Sequence, residues 1–127
     1  DDVRLTPEIT VKLHKRTMNY FESRLSKFKK HNVIILTHHA PSKLSTSIEY
    51  QNDSLNPAFY SNLDSMINKY DNLKLWIHGH IHSSSNYMIN NCSVLSNPIG
   101  YQIYEDTYIT GFSKRKIINF HTMEKVK

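Results

Sequence analysis

The segment His78-Gly79-His80-Ile81-His82 places three histidines at alternating positions with a glycine between the first two. A second cluster, His38-His39, lies earlier in the chain. Imidazole is the commonest side-chain ligand for zinc, manganese, iron and nickel, and it titrates near neutral pH. Two histidine clusters of this kind indicate a metal or phosphate site, whereas the isolated His14, His31 and His121 are interpreted as surface or helix residues.

Each cluster directly follows an apolar run. Val33 to Thr37 precedes His38-His39, and Leu73 to Ile77 precedes the second cluster. Both runs are rich in apolar residues without clear alternation, which predicts two buried strands. If the strands are parallel, their carboxyl ends share one edge of the sheet, where open α/β sheets bind ligands. We therefore expect His38 and His80 to meet, with Gly79 allowing the sharp turn after the second strand.

Two amphipathic helices are predicted to support these strands. Thr6-Pro7-Glu8 has the residue types of a helix start, and Asn56-Pro57 begins the second helix. The first helix has an apolar stripe at spacings of three and four, namely Leu13, Thr17, Phe21, Leu25 and Phe28. The second has an apolar face of Phe59, Leu63, Met66 or Ile67, and Tyr70. The order helix, strand, helix, strand predicts an α/β fold with parallel strands.

The rest of the chain reads as short strands and loops. Tyr87 to Ile89 and Cys92 to Ser96 are predicted to form a hairpin, with Cys92 as a small core residue. Tyr108 to Phe112 and Lys116 to Phe120 are predicted closing strands. The Ser-rich stretch from Ala40 to Asn56 is long for a structureless loop, and such loops are often functional. We expect it to border the pocket, with Lys43 and Tyr50 as candidate substrate contacts.

Composition limits the classes of protein to consider. The 127 residues correspond to one domain or part of one, and the sequence begins without methionine, which suggests a piece of a longer protein. A single cysteine excludes an internal disulfide and, with no signal peptide, favours the cytoplasm. No run approaches the roughly 20 apolar residues of a membrane span. The net charge of +5 leaves nucleic-acid binding open without indicating it, because no compact basic stripe with aromatics is present.

Several motifs resemble one known family. The segment Val33 to Ser42, with its His38-His39, is similar to the late His-His segment of calcineurin-like metallophosphoesterases. Gly79 to His82 resembles their Gly-His-x-His signature, and Asn97 to Tyr101 resembles a turn found in bacterial and phage-type members. The resemblance extends from about Leu5 to Tyr101, most of the chain.

This resemblance implies an enzyme that hydrolyses phosphomonoesters or phosphodiesters with two divalent metal ions, of manganese, iron, zinc or nickel. It implies a four-layer αββα sandwich of mixed sheets and flanking helices. By motif position, His38 and His80 bind one ion and His82 binds the other. His39 is the alternative ligand to His38, or else a catalytic residue that orients a ligand or contacts phosphate.

The chain also departs from the family. The family's Asp-x-His, Gly-Asp-x-x-Asp and Gly-Asn-His motifs, which supply the bridging aspartate, are absent from residues 1–127. We therefore interpret the whole chain as the C-terminal portion of such a domain. Its expected partners are a phosphoester substrate and the missing N-terminal half, and alone it is expected to be inactive or nearly so.

Two other functions remain as alternatives. The segment from His78 to Ser84 partly resembles the motif of histidine-triad nucleotide hydrolases, which need no metal, but Gly79, Ser83 and Ser84 do not fit its apolar positions. The other alternative is a non-catalytic metal-binding or interaction module left from a truncated phosphoesterase. An open sheet edge would favour pairing with a partner in that case.

Overall fold

The fold is of the α/β class, with one four-stranded mixed sheet and two α-helices in the part of the chain that is described. The computed structural model describes residues 4–50, 52–101, 103 and 110–119. Its helices and strands, in chain order, are α1 (Pro7–Lys27), β1 (Val33–Leu36), α2 (Asp64–Lys69), β2 (Leu73–His78), β3 (Asn86–Ile89) and β4 (Cys92–Ser96). Single-turn 3₁₀ helices cover Lys43–Ser45, Ile48–Tyr50 and Asn56–Ala58.

The strands lie in the order β1-β2-β4-β3. β1 is parallel to β2, β2 is parallel to β4, and β3 forms an antiparallel hairpin with β4. Ile35 lies opposite Trp76, and Trp76 lies opposite Val94. The predicted parallel pair and the predicted hairpin are therefore both confirmed, and the carboxyl ends of β1 and β2 share one edge of the sheet.

Helix α1 begins where the sequence predicts. The hydroxyl of Thr6 accepts a hydrogen bond from the backbone N–H of Ile9 at 3.4 Å, and proline occupies the first turn. The predicted stripe is only partly buried, because Leu25 lies in the core while Leu13 is 51% exposed. The first half of α1 therefore extends past the sheet among the described residues, and only its second half packs on the strands.

The core lies between the sheet and the two helices. Trp76 is fully buried near its centre, and Phe21 of α1 packs edge-on against it with ring centroids 5.8 Å apart. The buried cluster consists of Leu25, Ile35, Met66, Ile67, Leu73, Trp76, Ile89, Cys92 and Val94. The prediction that Cys92 is a small core residue is confirmed.

The prediction of a fully buried first strand is wrong. Ile35 is buried, but Ile34 and Leu36 are 43% and 70% exposed. β1 is an edge strand of the described sheet, with β2 as its single neighbour. Ile35 points to the core face, whereas Ile34 and Leu36 point to the opposite face, which is exposed at this strand, so burial alternates instead of covering both faces.

The second predicted helix begins later than expected. Asn56-Pro57 starts only a single 3₁₀ turn, after which the chain extends and forms a parallel bridge between Ala40 and Tyr60. Ser61 donates its backbone N–H to the carbonyl of Ala40 at 2.9 Å. Because this pairing uses backbone groups that a helix needs, α2 is delayed to Asp64. The stretch before it is also not structureless, since three 3₁₀ turns lie within it.

Only parts of the predicted closing strands lie within the described residues. Tyr108, Ile109 and Phe120 fall outside them, as does His121. Thr110 is helical and Gly111 lies in a turn, so the predicted strand is wrong for residues 110–112; the carbonyl of Thr110 accepts from the backbone N–H of Ser84 at 2.8 Å. Within 116–119 the structure has a single bridge residue, at Ile118. No helix of the described residues combines the length and apolar character needed to cross a membrane.

Candidate metal centre

Three imidazole rings meet at the carboxyl ends of β1 and β2. The ring centroids are 5.1 Å apart for His38 and His39, 4.8 Å for His38 and His80, and 4.7 Å for His39 and His80. We call these three residues the histidine triangle. The sequence predicts that His38 and His80 share one edge of the sheet, and the structure brings them together with His39 as an equal neighbour.

The turn after β2 delivers His80 to the triangle. Gly79 donates its backbone N–H to the carbonyl of His38 at 3.0 Å, which joins the two strand ends directly. His80 then adopts a left-handed backbone conformation with φ 64. For a residue other than glycine this conformation costs about 1–2 kcal/mol. Such strain concentrates at functional sites, where the surrounding structure maintains it.

The segment from Asn56 to Phe59 supports the ring of His80. The backbone of Ala58 interacts with the ring and raises the pKa of His80, and the ring of Phe59 lies 5.0 Å away at 34°. Sequence reasoning missed this role because the segment was predicted to be the start of a helix.

Both pKa values resolved within the triangle favour neutral imidazole. Burial lowers the pKa of His39, and the neighbouring His80 and His38 lower it further. Burial also lowers the pKa of His80, with added effects of His38 and His82, although its interaction with the backbone of Ala58 opposes them. Neutral imidazole is the form that binds metal ions.

A second support holds the His38-His39 turn. The indole N–H of Trp76 donates to the hydroxyl of Thr37 at 2.8 Å, and that hydroxyl donates to the carbonyl of His39 at 2.7 Å. Because Trp76 is fully buried, the turn is tied to the core through Thr37. This contact joins residues far apart in the chain and has no local sequence signal.

A small cavity of about 160 Å³ lies beside the triangle. His14 of α1, His38, His39 and Ser61 contribute to its lining. His14 is exposed, as expected of a surface residue, yet it faces the same space as two members of the triangle. Lys43 and Tyr50, the candidate substrate contacts, are exposed on 3₁₀ turns and are not among the residues lining this cavity.

His82 lies on the far side of the turn from β2. Its ring packs edge-on against Tyr101, with centroids 4.6 Å apart. Its charge also contributes to the lowered pKa of His80, so the two residues are electrostatic neighbours. Of the four predicted site residues, three form the triangle and the fourth packs beside Tyr101 of the loop that follows β4.

His78 is the last residue of β2 and directly precedes the turn that carries His80. It is buried at the end of β2, and burial lowers the pKa of its imidazole. Its Nε2 lies 2.9 Å from the hydroxyl of Ser45, which lies 2.7 Å from the hydroxyl of Tyr87. Its Nδ1 lies 3.1 Å from the carbonyl oxygen of Gly79. Sequence reasoning did not identify Ser45 or Tyr87.

The donor type of the triangle fits a late first-row divalent ion, because imidazole nitrogen suits zinc, iron and nickel. Among residues 4–50, 52–101, 103 and 110–119, no group of three or more His, Cys, Asp or Glu side chains has the geometry to hold a metal ion. His38 and His39 are exposed, and exposed side chains change rotamer within nanoseconds. Those two rings can therefore reorient rapidly.

Comparison with known proteins gives one relative. The chain matches no family model and no solved structure. It is 29% identical over 105 residues to the uncharacterized protein L509 of Acanthamoeba polyphaga mimivirus. The match covers 77% of this chain and 36% of that viral protein, so the chain spans about a third of the length of the curated relative it matches.

Proposed function

We propose that the protein is a metal-dependent phosphoesterase of the calcineurin-like superfamily, in which residues 1–127 supply the histidine ligands. The observation that carries this proposal is the histidine triangle at the carboxyl ends of two parallel strands. The motifs around His38 and His80 resemble that superfamily, and the triangle gathers the histidines of both motifs at one place. Packing alone does not account for three partly exposed imidazoles around a strained turn.

The proposed roles follow from the positions of the rings. His38 and His80 bind one ion, and His82 binds a second ion on the side of Tyr101. His39 contacts both other rings of the triangle, so it either completes the ligands of the first ion or contacts the phosphate. Metal affinity separates the two roles, because removal of His39 weakens metal binding if His39 is a ligand but not if it only contacts the phosphate.

The residues of this chain prepare the site before any substrate arrives. The backbone of Ala58 and the ring of Phe59 lie against the ring of His80, and the lowered pKa values of His39 and His80 keep both rings free to bind metal near neutral pH. The net charge of +5 attracts phosphate-bearing substrates. When bound, divalent ions at such a site lower the pKa of a coordinated water and neutralise charge on the phosphate oxygens.

The proposed partner is the remainder of the domain, which completes an αββα sandwich. Val33 and Thr37 donate their backbone N–H groups to carbonyls on the β2 side. Because alternate residues of a parallel strand bond to the same neighbour, the backbone groups of Ile34 and Leu36 face the open edge. A strand added there covers this edge and ends beside His38-His39, where its carboxylates can join the histidines. The viral relative is long enough to contain such a segment.

A phosphatase assay on two chains tests the proposal. The longer protein containing this segment is expected to hydrolyse p-nitrophenyl phosphate or its diester with Mn²⁺, and to lose activity with EDTA or with His80→Ala. Residues 1–127 alone are expected to show no more than residual turnover. If the longer protein stays active both with EDTA and with His80→Ala, the proposal is wrong. If residues 1–127 alone show substantial turnover, the proposal that they need the remainder of the domain for activity is wrong.

The exposed edge of β1 favours a second candidate, a non-catalytic metal-binding or interaction module. An unpaired strand with exposed Ile34 and Leu36 is a template for pairing with another chain. This candidate predicts zinc binding and self-association without phosphatase activity in any longer form. The histidine-triad alternative has less support, because His78 is buried under Ser45 and His80 lies in a turn with positive φ.

A further inference from the structure

We propose that a hydrogen-bonded relay through the buried Ser45 and His78 positions His80 for metal binding, with His78 as its central positioning residue. The relay runs from Tyr87 on β3 through Ser45 to His78 and ends at the carbonyl of Gly79. The proposal rests on the metal-binding role proposed above and assigns a function to three residues outside the ligand set.

The direction of the relay follows from the chemistry of its ends. A backbone carbonyl only accepts, so Nδ1 of His78 carries the proton that it donates to Gly79 at 3.1 Å. In the neutral ring, Nε2 is then an acceptor and takes the hydroxyl proton of Ser45 at 2.9 Å. The Ser45 oxygen remains free to accept from the hydroxyl of Tyr87 at 2.7 Å. Tyr87 therefore donates, Ser45 and His78 each accept one hydrogen bond and donate another, and the Gly79 carbonyl accepts.

The relay acts on the peptide that sets the position of His80. The carbonyl of Gly79 belongs to the Gly79–His80 peptide plane and also accepts from the backbone N–H of Ile81 at 2.8 Å. Holding this plane on two sides maintains the left-handed φ of 64 at His80. The N–H of Gly79 bonds to His38, so the same turn links both strand ends of the triangle.

Packing alone does not explain these residues. Ser45 and His78 are buried, with exposed fractions of 4% and 5%, and both are hydrogen-bonded within the relay. An apolar side chain would fill the space beneath the turn without burying polar groups. A satisfied polar network in a low-dielectric interior instead fixes one geometry, which is what a strained ligand position requires.

Two substitutions of His78 separate positioning from packing. Asparagine places an amide N–H where Nδ1 lies and keeps the donor to Gly79, whereas glutamine reaches the position of Nε2 and keeps the contact with Ser45. We expect His78→Gln to weaken Zn²⁺ affinity about 10–100-fold, as loss of an outer hydrogen bond does at metal sites. His78→Asn is expected to stay within about threefold of the native affinity on the same reasoning. Competition with a chromophoric chelator gives the dissociation constants.

A matched tyrosine pair provides the control. Tyr87→Phe removes the first donor of the relay and is expected to weaken Zn²⁺ affinity by a smaller factor than His78→Gln. Tyr70→Phe removes a hydroxyl that contacts Ser26 at 3.3 Å, remote from the triangle, and is expected to leave affinity unchanged. Thermal unfolding of each metal-free variant reports stability separately from binding.

The outcomes distinguish the relay from the proposed function. If the native chain binds Zn²⁺ and the asparagine and glutamine variants bind it equally well, the relay proposal is wrong and the proposed function stands. Variants that lose stability but keep native affinity also overturn the relay proposal, because they show a purely structural role. If the native chain does not bind Zn²⁺, the metal site fails and the relay proposal fails with it.

Discussion

Strands β1 and β2 both end in histidines, yet they hold them in different ways. β2 lies between two parallel neighbours, with Trp76 and His78 buried in the core. β1 has one neighbour in the described sheet, and its Leu36 is 70% exposed. Hydrogen bonds hold both turns, but the side chain of His80 is half-buried beside Phe59, whereas the side chains of His38 and His39 are exposed at the end of an edge strand. One half of the site is therefore built in advance, and the other half depends on what covers the edge.

The largest contrast concerns stability. Trp76→Ala on β2 is expected to cost about 3–5 kcal/mol, because it empties the centre of the core and removes the donor to Thr37. Leu36→Ala on β1 is expected to change stability by less than about 0.5 kcal/mol, since the side chain is mostly exposed. Urea unfolding measures both, and similar losses from the two variants would show that the Leu36 side chain is not exposed.

Metal affinity gives the second contrast. His80→Ala is expected to weaken Zn²⁺ binding at least about 100-fold, because no other residue occupies its fixed position. His38→Ala is expected to cost only about 10-fold, since the adjacent exposed His39 can turn toward the ion. Competition with a chromophoric chelator measures both. If His38→Ala lowers Zn²⁺ affinity more than His80→Ala does, the claim that the β2 side is the fixed half of the site is wrong.

The strain at His80 provides the third contrast. Gly is expected to stabilise the metal-free chain by about 1 kcal/mol relative to Ala at this position, because it adopts positive φ without steric cost. At His39 the same pair of substitutions is expected to favour Ala, since that residue is not among the described ones with positive φ. Unfolding midpoints compare the four variants. Equal stability of the two His80 variants would remove the argument that the turn is strained.

The smallest expected effect is that of pH. The folded pKa values of His39, His78 and His80 lie below the ordinary value of 6.5, so the folded state binds fewer protons than the unfolded state just below that value. Their contribution to stability is complete above pH 6.5, declines as the pH falls toward the folded pKa values, and is then constant. Urea midpoints at about pH 7.5 and about pH 5.5 should show a drop, and a smaller drop in His78→Asn. A rise in stability on acidification would contradict the sign.

Much of the site follows from local sequence. The cap at Thr6, the apolar runs before each histidine cluster and the hairpin between β3 and β4 are short-range patterns, and the parallel pairing follows from their order along the chain. These features suffice to predict that His38 and His80 share one edge of an α/β sheet. The roles of these residues and the αββα layering stay predictions.

The remaining features depend on contacts between distant segments. Whether the second face of β1 is covered is decided by distant segments, so its apolar run alone does not distinguish burial on one face from burial on both. The late start of α2 follows from the bridge between Ala40 and Tyr60, which no local pattern reveals. Ser45 joins His78 and Tyr87 across separations of 33 and 42 positions in the sequence.

The most direct test of the account is the stoichiometry of Zn²⁺ binding to residues 1–127, measured by titration calorimetry beside the triple variant His38→Ala, His39→Ala, His80→Ala. The account predicts one ion bound per native chain at the triangle and loss of that binding in the triple variant. No binding by the native chain, or equal binding by the triple variant, would contradict the claim that these histidines form a metal site.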